Sequence, residues 1–156
     1  MTSRKKVSRR TLIAAAMATG AAAQAPAGIA GFDHVALPMQ NTEAMLKFYR
    51  ALGFEIAENE NACSVYVGGG QMINFHRPVL WQRQTFTLRA PAAKPPCGDL
   101  CFVWNGGADA LKTLLSRAGA NIEEGPVARQ GGRRRAGSSV YVRDPDGNLL
   151  EFLAYT

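Results

Sequence analysis

The sequence predicts an α+β fold in which two tandem βαβββ modules form a curled mixed sheet with a concave face. Three observations lead to this prediction. The chain has 156 residues, enough for one domain with its own core. A strand–helix segment that begins at Phe32 recurs in a segment that begins at Gly98. The ends of the two halves match without a gap, because GGQMINF (69–75) aligns with DGNLLEF (146–152).

The first module, about 31–76, opens with a strand and continues into a helix. The segment FDHVALP alternates apolar residues with others, as a half-buried strand does. Asn41 or Thr42 then offers a helix N-cap, and Gly53 ends the helix. Between these signals, apolar residues recur at helical spacing: Ala44, Met45, Phe48, Tyr49 and Leu52. Short β-runs complete the module.

The second module, about 97–156, repeats this plan. Its strand GDLCFVW precedes a helix that Gly119 ends, with apolar residues at helical spacing: Ala110, Leu111, Leu114 and Leu115. A linker of about 77–96, rich in proline and alanine, joins the modules. The stretch ARQGGRRRAG (128–137) is predicted to be a flexible loop, and the turn DPDG to close the last hairpin.

Positive charge is concentrated at the N-terminus. Five basic residues precede residue 11, and the remainder holds 13 Lys and Arg against 12 Asp and Glu. The folded part is therefore nearly neutral, which argues against a nucleic-acid partner.

We interpret residues 1–27 as a twin-arginine-type signal peptide rather than a frayed basic tail. SRRTLI precedes an apolar run that is too short to span a bilayer, and small residues suited to cleavage follow it. We expect export to the periplasm with cleavage after Ala23 or Ala27. The mature domain, 28–156, is then expected to have no stable membrane insertion.

The strand period of two decides which side chains share the concave face. In the first strand, Val35 and Leu37 form the apolar set that faces the helix, so His34 faces the concave side. An ungapped comparison of the modules sets Leu100 opposite His34. We prefer one gap before the second helix, because it keeps bulky residues under the helix and sets Asp99 opposite His34.

Glu151 lies at the centre of the apolar strand LLEFL, where an ionised carboxylate requires a partner or a cation. The aligned runs place Asn74 opposite it, and His76 lies two residues further on the same face. The concave floor is therefore predicted to gather the five residues His34, Asn74, His76, Asp99 and Glu151. We expect His34, His76, Asp99 and Glu151 to bind one divalent metal such as Fe, Mn, Ni or Zn. In an alternative reading, Asp99 only orients His34.

The DHVAL strand, the FYRALGF helix end, the DPDGNLLEF hairpin and the order of elements resemble the vicinal oxygen chelate superfamily. This superfamily includes glyoxalase I, extradiol dioxygenases, methylmalonyl-CoA epimerase and fosfomycin-resistance thiol transferases. The resemblance covers about residues 31–156. The stretch NIEEGPVARQG followed by SSVYVRDPDGNLLEF is most similar to small glyoxalase-domain-containing proteins.

The resemblance implies a metal held by His34, Glu151 and residues at the two other paired positions. Members that bind metal commonly carry His where Asp99 stands, and glyoxalase-like members carry Glu or Gln where Asn74 stands. Fosfomycin-resistance enzymes bind substrate through Ser and Tyr at matching places. The resemblance thus implies that Ser139, Tyr141 and Asn74 bind substrate, and that Glu151 and Tyr141 are catalytic.

These expectations favour a metal-dependent enzyme that acts on a small oxygen-chelating molecule, as a lyase, isomerase or ring-cleaving dioxygenase. The alternative is a metal-free protein of the bleomycin-resistance type that sequesters a ligand, which Asp99 and Asn74 favour. We also expect a homodimer, because curled sheets expose edges that proteins usually cover. The modules pair either within one chain or between two.

Overall fold

The computed structural model describes residues 25–156. The predicted signal peptide, up to residue 24, lies outside the described residues. Within them, no helix is long and apolar enough to cross a membrane.

Each half of the described chain has the order βαβββ, as the repeat predicts. The first half contains β1 (His34–Pro38), α1 (Thr42–Ala51), β2 (Glu55–Glu58), β3 (Ala62–Gly68) and β4 (Gln71–His76). A short helix, α2 (Pro78–Trp81), begins the linker. The second half contains β5 (Asp99–Val103), α3 (Ala108–Ala118), β6 (Ile122–Gln130), β7 (Ala136–Arg143) and β8 (Leu149–Tyr155).

The two halves form two separate four-stranded sheets with identical topology. The strand orders are β1-β4-β3-β2 and β5-β8-β7-β6, and in each sheet the first and last strands of the module pair in parallel. The two mixed sheets with their helices confirm the predicted α+β fold.

The strand register supports the gapped comparison of the modules. His34 pairs with Met72 in the first sheet, and Asp99 pairs with Leu149 in the second. Because Met72 and Leu149 are equivalent in the aligned β-runs, Asp99 takes the place of His34. Leu100, the ungapped alternative, instead belongs to the partly buried set that packs against the core.

The helices and the inner sheet faces of both modules form one continuous core. Met45 and Tyr49 of α1 and Leu115 of α3 are almost fully buried in it. The aromatic rings of Phe54 and Phe102 meet across the two modules at a centroid distance of 5.3 Å. The core therefore holds the modules together through one face of each sheet.

The turn DPDG and the residue after it also join the modules. The buried carboxylate of Asp144 accepts hydrogen bonds from the Tyr49 hydroxyl (3.1 Å) and the Asn148 amide (2.8 Å). The side-chain oxygen of Asn148 in turn accepts the backbone N–H groups of Cys97 (3.0 Å) and Gly98 (2.8 Å). The turn thus closes its own hairpin and connects α1 of the first module with the start of β5.

One local prediction was half wrong, and another was confirmed in position but not in its hydrogen bond. Half of the stretch predicted as a flexible loop is strand, because β6 runs to Gln130 and β7 begins at Ala136, which leaves 131–135 as the turn between them. Asn41 occupies the N-cap position of α1, but its side chain makes no capping hydrogen bond. Its amide nitrogen instead donates to Asp146 of the second module at 2.9 Å.

Candidate functional site

On the first module, the predicted residues lie on the face away from the core. His34 is exposed, and its Nδ1 lies 2.6 Å from a carboxylate oxygen of Asp33. Asp33 therefore orients this imidazole, the role that the alternative reading gave to Asp99. With Nδ1 engaged, Nε2 is the nitrogen left to bind a metal or a ligand.

Asn74 and His76 follow on the same face of β4, and both are half-buried. The side-chain oxygen of Asn74 accepts a hydrogen bond from Ser64 at 3.4 Å. The His76 ring meets Phe86 of the linker edge to face, with centroids 5.3 Å apart. Partial burial lowers the pKa of His76, and the positive charges of Arg89 and His34 add to this effect. The imidazole is therefore held neutral, the form that binds metals.

On the second module, Glu151 is the centre of a polar cluster. Ser139, which is fully buried on β7, donates a short hydrogen bond to its carboxylate. Cys101 pairs directly with Glu151 across β5 and β8. Burial, the adjacent Glu151 carboxylate and the charge of Asp99 raise the pKa of the Cys101 thiol to about 12. The partner that the Glu151 carboxylate requires is therefore the Ser139 hydroxyl. Glu151 itself is half-buried on β8.

Tyr141 extends this cluster toward β6. It pairs with Glu151 across β7 and β8, two residues from Ser139 on the same strand face. Its hydroxyl accepts a hydrogen bond from Arg129 Nε at 2.9 Å, and the Arg129 guanidinium lies 5.4 Å from the ring centroid. Arg129 also approaches Glu124 at 3.7 Å.

Arg129 was not among the candidates from the sequence. It stands in the stretch that we predicted as a loop, so its side-chain contact with Tyr141 could not be foreseen. The strand register sets Arg129 opposite Gly137 and Tyr141 opposite Glu124, so only the long arginine side chain brings the two groups together.

The structure divides the predicted residues into two sets. His34, Asn74 and His76 belong to the first module, whereas Asp99, Ser139, Tyr141 and Glu151 belong to the second. Within residues 25–156, no three His, Cys, Asp or Glu side chains come together as a group that could hold a metal ion. Within the described residues, the candidate residues therefore lie in two separate sets, one on each module.

Comparison with known proteins agrees with this architecture. The family model of the glyoxalase/bleomycin resistance protein/dioxygenase superfamily matches residues 31–152. The chain therefore belongs to this superfamily, which confirms the resemblance described above.

Individual relatives show the same relationship. The virulence protein STM3117 of Salmonella typhimurium is 33% identical over 124 residues, which cover 79% of this chain and 83% of that protein. Its crystal structure superposes with a TM-score of 0.70 and 32% identity over 82% of this chain and 98% of that one. The glyoxalase domain-containing protein RDO1 of Mycosarcoma maydis is 33% identical over 128 residues, 81% of this chain and 69% of that protein.

A more distant solved structure shares the fold alone. The lactoylglutathione lyase of Agrobacterium tumefaciens has a TM-score of 0.59 and 22% identity, over 81% of this chain and 95% of that one.

Proposed function

We propose that the protein is a metal-dependent enzyme that acts on a small oxygen-chelating molecule, with each site assembled from the first module of one protomer and the second module of another. The lactoylglutathione lyase of Agrobacterium tumefaciens is an enzyme with a similar fold. The observation that carries the proposal is the matched register of the two half-sites. His34 and Asp99 take equivalent places on the first strands, and Asn74 and Glu151 take equivalent places on the last strands.

The imidazole and carboxylate groups are of the type that binds a divalent first-row metal. Within the described residues of one chain, however, they do not lie close enough together to bind one. Imidazole and carboxylate are suitable ligands, and Asp33 already orients His34. Because three such side chains do not meet within the described residues, the chain needs a second copy to complete the set. When bound, the metal would supply Lewis-acid polarisation of the substrate oxygens.

The protein's own residues have definite tasks in this proposal. Ser139 holds the Glu151 carboxylate in one orientation through its hydrogen bond. Arg129 holds the Tyr141 hydroxyl by donating to its oxygen, so the phenolic proton remains free to donate to a substrate oxyanion. His34 and His76 supply imidazole nitrogens from the facing module.

Mixing two inactive variants tests the assembly. His34→Ala removes the ligand of the first module, and Glu151→Gln removes that of the second. If sites form between chains, a mixed dimer contains one site with both changes and one site with neither. Mixing the variants after dissociation should therefore restore roughly a quarter of the wild-type metal content and activity. Each variant alone should bind little metal, and a mixture that restores none would refute the shared site.

A second candidate function is metal-free sequestration of a ligand. The hydrogen bond between Ser139 and Glu151 favours it, because this carboxylate is partnered without any cation. The two candidates differ in one measurement. Metal-free ligand binding predicts that the untagged dimer contains no stoichiometric metal and that Glu151→Gln leaves ligand affinity nearly unchanged.

A further inference from the structure

The linker folds back over the concave face of the first module. The indole Nε1 of Trp81 donates to the backbone oxygen of Met39 at 2.8 Å, which fixes α2 beside the end of β1. Phe86 packs against His76 as described. Between the linker and the sheet lies a small cavity of about 80 Å³, lined by Ala36, Pro38, His76, Trp81 and Arg89.

Arg89 is the charged group in this lining. One terminal nitrogen of its guanidinium donates to the backbone oxygen of Ala93 at 2.8 Å, and the group lies 5.8 Å from the Trp81 ring centroid. These contacts hold a half-buried cation in place. Within residues 25–156 no carboxylate lies within ion-pair distance of it, although other arginines, such as Arg50 and Arg143, have such partners.

We propose that this cavity binds a small carboxylate through Arg89, and that the substrate of the site proposed above is therefore a carboxylate anion. A guanidinium presents several N–H donors in a fork that matches a carboxylate, and only part of this fork is used by the linker carbonyls. The identification of this anion as a substrate rests on the proposed function. Binding of the carboxylate to Arg89 does not require a metal.

The lining also selects the size and charge of the anion. A water molecule needs about 10–15 Å³ of such space, so the cavity holds a group of several heavy atoms and excludes a large ligand. Arg89 supplies one permanent positive charge to this lining. A monoanionic carboxylate therefore matches the lining better than a dianionic phosphate. The position beside His76 places the rest of the ligand on the face that carries His34 and Asn74.

Binding is measurable on the metal-free full chain with acetate as the probe. The chain has two tryptophans, so a Trp104→Phe background leaves Trp81 as the single reporter. Emission and the indole N–H resonance of Trp81 are followed during titration with acetate, with acetamide as an uncharged probe of the same shape and inorganic phosphate as a dianion. Ionic strength is held constant throughout.

We expect a saturable response to acetate, a response at least about tenfold weaker to acetamide and to phosphate, and a loss of at least about tenfold in acetate affinity in Arg89→Gln. Arg83→Gln, an exposed arginine of the same linker, is the matched control and should bind acetate normally. Because Arg89→Gln could disturb the linker, Ala36→Leu provides a second test: it fills the cavity from the strand and should weaken acetate binding equally.

Three results would overturn the proposal: no saturable change in either signal, equal responses to acetate and acetamide, or unchanged affinity in both Arg89→Gln and Ala36→Leu. Equal affinity for phosphate would overturn the preference for a carboxylate. Failure of the mixed-variant experiment alone would leave carboxylate binding intact, so the two proposals fail independently.

Discussion

Asp146, in the last hairpin of the second module, accepts the backbone N–H of Asn41 at 2.8 Å, immediately before the first helix of the other module. The second carboxylate oxygen of Asp146 accepts the N–H of Gln40 at 2.6 Å. A single side chain thus fixes the entry to α1 from 105 residues further along the chain. The turn of the last hairpin therefore connects the two modules through the hydrogen bonds of Asp146.

Replacing Asp146 with Ala should lower the free energy of unfolding by about 1–2 kcal/mol, because two backbone donors lose an ionised acceptor. Partial exposure of Asp146 to solvent keeps the loss near the lower figure. Urea denaturation of the metal-free chain measures it. Asp109→Ala is the control, since Asp109 is fully exposed in the first turn of α3 and should change stability by less than about 0.5 kcal/mol. Equal losses in the two variants would contradict the assigned role.

The Cys101 thiol should react slowly with alkylating reagents although the residue is only partly covered. Burial of the sulfur and the charge of Glu151 raise its pKa to about 12, and the thiolate is the reactive form. Raising the pKa makes the thiolate rarer at any pH below 12, so the alkylation rate should still be rising above pH 9. Cys97, which is also exposed but not beside Glu151, should react faster at pH 8 in the same sample.

Glu151→Gln should bring the Cys101 rate closer to that of Cys97, because it removes the neighbouring negative charge. Mass spectrometry of peptides alkylated at several pH values measures both rates. If Cys101 reacted as fast as Cys97 in the unchanged chain, the electrostatic arrangement around Glu151 would be wrong.

The working unit should be a homodimer. Each sheet has an exposed outer edge, and the two half-sites on one chain need facing partners. Light scattering at micromolar concentration should give a dimer mass, and activity should fall on dilution as the dimer dissociates. A monomer mass together with full metal occupancy would confine each site to one chain.

The export proposal rests on Arg9 and Arg10 ahead of the apolar run. Changing both to Lys should trap the precursor in the cytoplasm, because a twin-arginine signal is read through this pair. Fractionation of cells that express the full chain, followed by N-terminal sequencing, measures location and cleavage. The unchanged chain should begin near Gly28 in the periplasm. An untrimmed N-terminus there would count against the signal peptide.

Local patterns in the sequence predicted most of the strands and helices and the faces of β1, β5 and the last strand of each module. Period-two alternation placed His34 and Asp99 away from the helices, and the aligned β-runs made Asn74 and Glu151 equivalent. Helical spacing and Gly119 located α3 and its end, where Gly119 adopts a left-handed φ of 74°. These features depend on neighbours within a few residues, so a single sequence contains them.

Only the tertiary structure decided which groups meet. Asp33 rather than Asp99 orients His34, Ser139 partners Glu151, and Arg89 reaches the cavity beside His76 from a linker without a readable motif. Tertiary structure also decided that the candidate residues of the two modules lie apart within the described chain. Such contacts form between residues that are dozens of positions apart in the sequence. The distance between their side chains depends on how the sheets and the linker pack, which the residue types alone do not specify. The sequence therefore determined the fold and the strand faces of the candidate residues, whereas packing determined which groups these residues contact.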